Sequence, residues 1–358
     1  DNRWIGEHLQ ELFAAERPDL FHLISGYLLT GSALQIAQDA GIPTVLTLTD
    51  FWFLCRRISM LRTDGTISTL PIDPFRCARC LGEEKRRFQW LYHAAPVIME
   101  QYWKAQNTYA GYFAARYDYL RHVISRVGAV ISPSQFLKQM YVSAQMTAPR
   151  MLFLRQGHQF GSMTPDQLEK STSSVLRIGY LGQIAHLKGV HVLVDAVRSM
   201  SQASLEVRLY GDPTMNPAYT AELQRKIGDD RRIKLMGVYE RNQLTTILRD
   251  LDVVVVPSIW YENSPNVILE AFAHHTPVIA SDFGGMAELV DNGKNGLRFL
   301  VGDVSALASV LKRLTCEPGL LSELSRGAAN STPPTIDQEI EQLIAVYESL
   351  INVSESQA

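Results

Sequence analysis

Short apolar runs alternate with longer segments of helical period along nearly the whole chain. Leu20–Ile24, Val45–Leu48, Val127–Ile131 and Met151–Leu154 read as one series of strands. Leu176–Leu181, Leu205–Tyr210, Ile233–Met236, Val253–Val256 and Val278–Ala280 read as a second, with Phe299 and Leu300 as a last short strand. Helical periods fill the intervals: 5–16, Gly31–Ala40 (with Gly41 as its C-cap), Gln135–Tyr141, Gly189–Met200, Ala218–Ile227, Arg241–Arg249, Met286–Val290, Ser305–Leu314, Leu320–Ala328 and Ile336–Leu350. This is the rhythm of an α/β protein built from βαβ units, with two doubly wound, Rossmann-like parallel sheets facing a cleft.

Two stretches interrupt the rhythm. Residues 50–127 hold an aromatic run at Phe51–Leu54, a loop-like span containing C-A-R-C at 77–80, and long helical periods over Glu83–Glu100 and Gln101–Val127. Residues 161–174, G-S-M-T-P-D-Q-L-E-K-S-T-S-S, are polar and without period, which predicts a linker. The expected domains are 1–160, carrying the 50–127 insertion, and 175–335, with the helix of 336–358 packing back on the first. A doubly wound sheet ordinarily opens with a strand and a glycine-rich turn. Neither precedes Leu20, so one or two βα units are expected upstream and the first domain is expected to be incomplete. Its strands at 20–24 and 45–48 read as interior ones.

The 358 residues are 46% hydrophobic and 20% charged, with a net charge of -3, an ordinary globular balance with no basic field for nucleic acid. No apolar run reaches the roughly 18 residues of a membrane span. Four cysteines, Cys55, Cys77, Cys80 and Cys316, do not make a secreted disulfide framework, so a reducing cytosol is the expected compartment.

Chemistry concentrates in the second series. In E-N-S-P-N-V-I-L-E, Glu262 and Glu270 flank a predicted helix start, with Ser264 as N-cap, Pro265 as first helical residue and the helix running to about His274. A strand, a loop and a helix N-terminus together make an anion site. Carboxylates on both sides of it fit a phosphate flanked by hydroxyls, as in a nucleotide sugar; two ordinary surface glutamates are the plainer alternative. Upstream, Y-L-G-Q-I-A-H-L-K-G-V at 180–190 puts Gly182 after a strand and Lys188 at the start of a helix, where it can reach a phosphate. Y-G-D at 210–212 ends a strand. S-D-F-G-G-M-A-E-L-V at 281–290 brings two glycines that allow close backbone approach.

In this order, the four motifs resemble the donor-binding domain of the retaining glycosyltransferases of group 1 (family 4), of the GT-B class. The resemblance is strong over about 176–315 and weaker over R-P-D-L-F-H-L at 17–23 and G-I-P-T-V-L-T-L-T-D-F-W-F-L-C at 41–55. It implies transfer of a sugar from a UDP-, GDP- or ADP-sugar to an acceptor hydroxyl of a glycan, a lipid-linked or a small molecule, with no cofactor required for catalysis. It implies Glu262 at the sugar hydroxyls, Glu270 at the ribose, Lys188 at the diphosphate, and the backbone of Ser264, Pro265, Asn266 and Val267 as a phosphate cradle. Gly182 and Gln183 join the donor site, and Asp212 falls where the base is held. Asp50, Thr49 and His158 are the acceptor-side candidates. The sequence departs from the family pattern at Gln183, where arginine is usual, at Thr49, where histidine is usual, and at His275, where glycine is usual. A non-catalytic nucleotide-sugar-binding subunit is the alternative that Thr49 and Gln183 motivate.

Cys55, Cys77 and Cys80 have zinc-like spacing, with Asp50, Asp64, Asp73 or His93 as the fourth ligand; free thiols are the other reading. The aromatic and basic residues of 83–127 (Lys85, Arg86, Arg87, Trp90, Tyr92, Trp103) fit peripheral contact with the inner membrane face, or a packed amphipathic helix pair. His22 and His158 are expected at strand ends of the first domain.

Overall fold

The computed structural model describes residues 3–84, 91, 94–159, 170, 173–201 and 203–355. They fall into two compact units, Asp1–Gln156 with Asp337–Ala358, and Gly157–Ile336.

The first unit is built on a four-stranded parallel sheet in the order β1 (Phe21–Ile24), β2 (Thr44–Thr47), β3 (Ala129–Ser132), β4 (Met151–Phe153). The two inner strands carry its core. Val45, Ala129 and Ile131 are buried, and the C-terminal helix Ile336–Glu355 lays Val346, with Leu343, Tyr347 and Leu350, against them. β1, expected in the interior, lies at the edge of this sheet among the described residues. Of its four positions only Leu23 is buried, and Ile24 is 64% exposed.

The crossover from β2 to β3 carries the insertion, and C-A-R-C is not in a loop there. It sits in the helix Pro74–Glu83. Asp73 accepts hydrogen bonds from the Phe75 and Arg76 amides, and Pro74 fills the first turn, where a missing N–H costs nothing. This Asp-Pro start outweighs the loop-like composition around it. The helices Pro96–Lys104 and Asn107–Ser125 follow, with a break at Ala105 and Gln106. Lys85, Arg86, Arg87, Trp90, Tyr92 and His93 lie outside the described residues, as does most of 161–174. Lys170, within that stretch, donates to Leu248 O at 2.5 Å, Leu251 O at 2.9 Å and Thr276 Oγ1 at 2.5 Å.

The second unit has a six-stranded parallel sheet. In chain order its strands are β5 (Leu176–Leu181), β6 (Leu205–Tyr210), β7 (Ile233–Gly237), β8 (Val253–Val256), β9 (Val278–Ser281) and β10 (Gly296–Phe299); in space the order is β10-β9-β8-β5-β6-β7. Every residue of β5, β8 and β9 is buried, as a parallel sheet covered on both faces requires. β10 starts earlier than the apolar pattern predicts and ends at Phe299; Leu300 is exposed. Gly296 was invisible to that pattern because it has no side chain. A Cβ there would lie 2.0 Å from Val278 O. The chain runs outward from β5 through β6 and β7, then returns to the other side of β5 with β8. The switch point is therefore between β5 and β8, where a crevice opens beyond the carboxyl ends of the strands.

Candidate functional site

The loops leaving β5 and β8 meet at that switch point. After β5 the chain passes Gly182 and Gln183 into a 3-10 turn, His186–Lys188, and Gly189 (φ +68°) turns it into the helix Val190–Ser199. A Cβ at Gly189 would stand 1.9 Å from Pro257 O, so the β5 loop lies directly on the β8 loop. Ile259 N donates to Leu187 O at 2.9 Å and fastens the two.

This contact delivers Lys188 to Glu262. Lys188 Nζ donates to Glu262 Oε1 at 2.7 Å, and the same oxygen accepts from Ser258 Oγ at 2.8 Å and Trp260 Nε1 at 2.8 Å. Lys188 Nζ also lies 5.1 Å from the centre of the Trp260 ring. Glu262 is buried, so these donors replace the water its carboxylate gives up. The G-G motif holds the loop from the other side. Gly285 N donates to Glu262 O at 2.8 Å, and a Cβ at Gly285 would stand 1.6 Å from Asn263 O. Tyr261 stacks on Phe283 with ring centres 4.3 Å apart.

The helix after this loop runs Asn266–Ala273, one residue later than predicted. Pro265, extended at ψ 113°, is its N-cap, and Ser264 makes no capping bond. Proline's fixed φ suits the cap as well as the first turn, so composition alone does not separate the two. Ser264 Oγ is shielded from solvent and has no hydrogen-bond partner among the described residues. The first amides of the helix, at Asn266 and Val267, have no intrahelical acceptor by geometry. A partnerless hydroxyl beside free amides is an arrangement that accepts an anionic oxygen.

Glu270 is buried in this helix, and burial raises its carboxyl above the usual range. Arg241 Nη1, 3.6 Å from Glu270 Oε1, opposes that rise. Gln183 has an exposed side chain, while its carbonyl accepts from Tyr180 OH at 2.6 Å. Asp212 is partly buried and turned onto its own loop, accepting from Thr214 Oγ1 at 2.6 Å and Thr214 N at 2.8 Å, which lowers its pKa.

In the first unit, Asp50 follows β2 and accepts from Ser25 Oγ at 3.0 Å, Thr49 Oγ1 at 3.2 Å and Trp52 N at 2.7 Å. His22 is inside β1, not at its end. Its ring contacts Tyr347 OH at 2.6 Å and Thr47 Oγ1 at 2.8 Å, and burial lowers its pKa to about 4. His158 belongs to the second unit, not the first. Its amide donates to Pro334 O at 2.9 Å, and it is bridged to Thr335. Gly157 explains the placement, since a Cβ there would be 2.3 Å from Thr335 O.

Cys55, Cys77 and Cys80 are free and line one pocket of the first unit. Burial, then the neighbouring Cys55 and Cys80, pushes the Cys77 thiol up to about 12. Among the described residues, which do not include His93, no group of three His, Cys, Asp or Glu side chains is disposed to hold a metal ion.

Ser258, Trp260 and Arg241 were not singled out from sequence. Ser258 and Trp260 lie close enough to Glu262 in the chain to have been found as its donors. Arg241 reaches Glu270 only through the packing of the β7 loop, which leaves no local signal.

Residues 175–317 match the model of the family described as "Glycosyl transferases group 1". A D-inositol 3-phosphate glycosyltransferase of Corynebacterium urealyticum is 29% identical over 187 residues, 50% of this chain and 44% of that protein. A glycogen synthase of Mycobacterium tuberculosis is 28% identical over 151 residues, 42% of this chain and 36% of that protein. The matches thus span less than half the length of these relatives. Among solved structures, Anabaena HepE in complex with UDP superimposes with a TM-score of 0.68 at 19% identity, covering 97% of this chain and 82% of that one. A glycosyltransferase from Rickettsia africae gives 0.66 at 16% identity, covering 97% and 80%. These likenesses show the fold.

Proposed function

From a chain of GT-B class fold that is homologous over residues 175–317 to the glycosyl transferases of group 1, we propose a nucleotide-sugar-dependent glycosyltransferase that retains anomeric configuration. The observation that carries the reading is the meeting of Lys188 and Glu262 at the β5/β8 switch point, with Glu270 one helix turn beyond a free helix N-terminus.

In this reading the donor diphosphate sits over the amides of Asn266 and Val267, with Ser264 Oγ as a further donor and Lys188 as its cation. Charge that develops on the leaving diphosphate is met by groups already in place, which is where such sites gain most of their rate. Lys188 changes partners, or shares itself, between Glu262 and the phosphate. Glu262, held by Ser258 and Trp260, accepts from sugar hydroxyls, and Glu270 accepts from the ribose. Gln183 contributes no charge, which leaves Lys188 as the principal cation of the diphosphate. The departures at Thr49 and Gln183 keep a non-catalytic nucleotide-sugar-binding subunit as the second reading. No helix of the described residues is long and apolar enough to cross a membrane.

One relative bears on the donor. HepE is described in complexes with UDP and with UDP-glucose, so UDP-glucose is the first donor to try. Release of UDP from UDP-glucose, with and without Glu262→Gln, tests the reading. Turnover lost in the variant while UDP still binds is expected of the transferase. Binding with no turnover in either protein favours the non-catalytic subunit.

A further inference from the structure

The insertion of the first unit builds a cavity that the reading above leaves unused. It has a volume of about 720 Å³ and is lined by residues that include Tyr27, Arg56, Arg57, Tyr109, Tyr112 and Arg116. That is within the roughly 300–1,000 Å³ of small-molecule sites. Tyr27 belongs to the loop after β1, and Arg56 and Arg57 to the loop after β2. The cavity therefore lies beyond the carboxyl ends of two parallel strands, where open α/β sheets take ligands.

Its charges are unbalanced. A second pocket adjoins it, sharing Arg56, Arg57 and Arg116 and adding Arg62 and Arg76. Among the described residues that line the two, five arginines stand against two carboxylates, Asp73 and Glu84. Arg57 pairs with Glu84, and Arg76 with Asp73 at 3.4 Å. Arg56 is exposed and has no hydrogen-bond or ion-pair partner among the described residues. Arg116 is half-buried. Its guanidinium lies over the Trp52 ring at 4.7 Å and donates to Trp52 O at 2.7 Å and Phe53 O at 3.4 Å, all of them uncharged partners.

Burial lowers the Arg116 pKa, Cys55 and Tyr141 oppose that fall, and the charge of Arg56 adds to it. The nearby Cys77, held as a thiol, does not neutralise them. Two guanidinium groups that repel one another, one of them withdrawn from water and without a carboxylate, form a site that an anion would stabilise. The tyrosines supply the rest of the wall. Tyr112 is 71% exposed and Tyr27 55%, leaving their aromatic faces and hydroxyls open to a ring-bearing ligand, while the Trp103 ring lies 6.0 Å from that of Tyr109.

We propose that this cavity binds a phosphate ester with a hydroxylated ring, the phosphate on Arg56 and Arg116 and the ring against Tyr27 and Tyr112. The proposal rests on the glycosyltransferase reading in one respect: the phosphorylated molecule is then the acceptor. The phosphate comes from a soluble sugar phosphate or from a lipid headgroup, and guanidinium recognition is common to both.

The test is calorimetric titration of the whole chain with glucose 6-phosphate and with glucose, in the absence of any nucleotide. Glucose 6-phosphate is expected to bind at least about tenfold more tightly, with the preference shrinking as salt is raised. Arg56→Ala is expected to weaken it by about tenfold while leaving UDP affinity unchanged. Arg116→Ala removes two bonds to the backbone and can unfold the insertion, so Arg116→Lys serves as the second variant. It keeps the charge, loses the planar fork, and is expected to weaken the phosphate selectively.

Sedimentation with phosphatidylcholine vesicles containing 10 mol% phosphatidic acid is the lipid arm. Sedimentation that Arg56→Ala abolishes supports the cavity with a lipid source, and glucose 6-phosphate binding without it supports a soluble one. Equal affinity for glucose and glucose 6-phosphate, with no Arg56-dependent sedimentation, overturns the proposal. So does an Arg56→Ala chain that keeps full affinity. Because the readout uses no donor, a protein that binds the phosphate but fails to bind UDP refutes the donor reading and leaves this one standing.

Discussion

Lys188 Nζ and Glu262 Oε1 are 2.7 Å apart although 74 residues separate them in the chain. The contact exists because β5 and β8 are neighbours across the switch point and Gly189 lets the two loops touch. The side chains are 22% and 10% exposed, so the charges are largely withdrawn from water. Removing one partner of such a pair strands the other. Lys188→Ala is expected to weaken nucleoside diphosphate binding by roughly 1.5–3 kcal/mol, the scale of a charge-assisted hydrogen bond, and to weaken the plain nucleoside far less. Calorimetry with UDP and uridine checks this. Equal losses for the two ligands would remove Lys188 from the diphosphate.

The glycine motif carries a separate expectation. Gly285→Ala puts a methyl group on Asn263 O, and Gly189→Ala puts one on Pro257 O at a positive φ. Each clash is with backbone, which cannot swing aside. Each variant is expected to lose about 1–3 kcal/mol of stability and to bind nucleotide poorly. Gly293→Ala, also at positive φ but with nothing nearby to strike, separates backbone strain from the clash. Thermal melts of the three variants decide: if Gly293→Ala is as damaging as Gly285→Ala, the close loop approach is not what matters.

Much of this was legible in the sequence. The apolar runs located the strands of both sheets, and helix-start chemistry placed Glu262 in a loop and Glu270 in a helix. Those signals are local. The errors come from signals that were not. C-A-R-C looked like a loop until the Asp73–Pro74 start was weighed. β10 began at a glycine that contributes no hydrophobicity. His158 was assigned to the wrong unit because the backbone contact of Gly157 with Thr335 crosses well over a hundred residues of chain. The arginine cavity could not be read at all, since it assembles the β1 loop, the β2 loop and two insertion helices.

His22 gives a pH dependence. Its folded pKa of about 4 is below the ordinary 6.5, because the ring is buried between Thr47 and Tyr347. The folded protein therefore binds fewer protons than the unfolded chain between those values. The stability that the neutral ring contributes is complete above about pH 6.5 and is lost as pH falls toward 4. His22→Gln, which keeps one hydrogen bond and cannot charge, is expected to flatten that part of the melting-temperature profile. An identical acid-side slope in the variant and the parent would place the dependence elsewhere.

The two glutamates divide the central claim between them, and one titration series tests it. UDP, GDP and ADP are titrated calorimetrically into the parent chain, Glu270→Gln and Glu262→Gln. At least one of the three is expected to bind the parent. Glu270→Gln is expected to weaken it by about tenfold, because a neutral amide accepts a poorer hydrogen bond from ribose than a carboxylate does. Glu262→Gln is expected to leave affinity within about a factor of two, since it frees Lys188 for the diphosphate. No binding of any diphosphate to the parent, or equal loss in both variants, would contradict a donor site built around these residues.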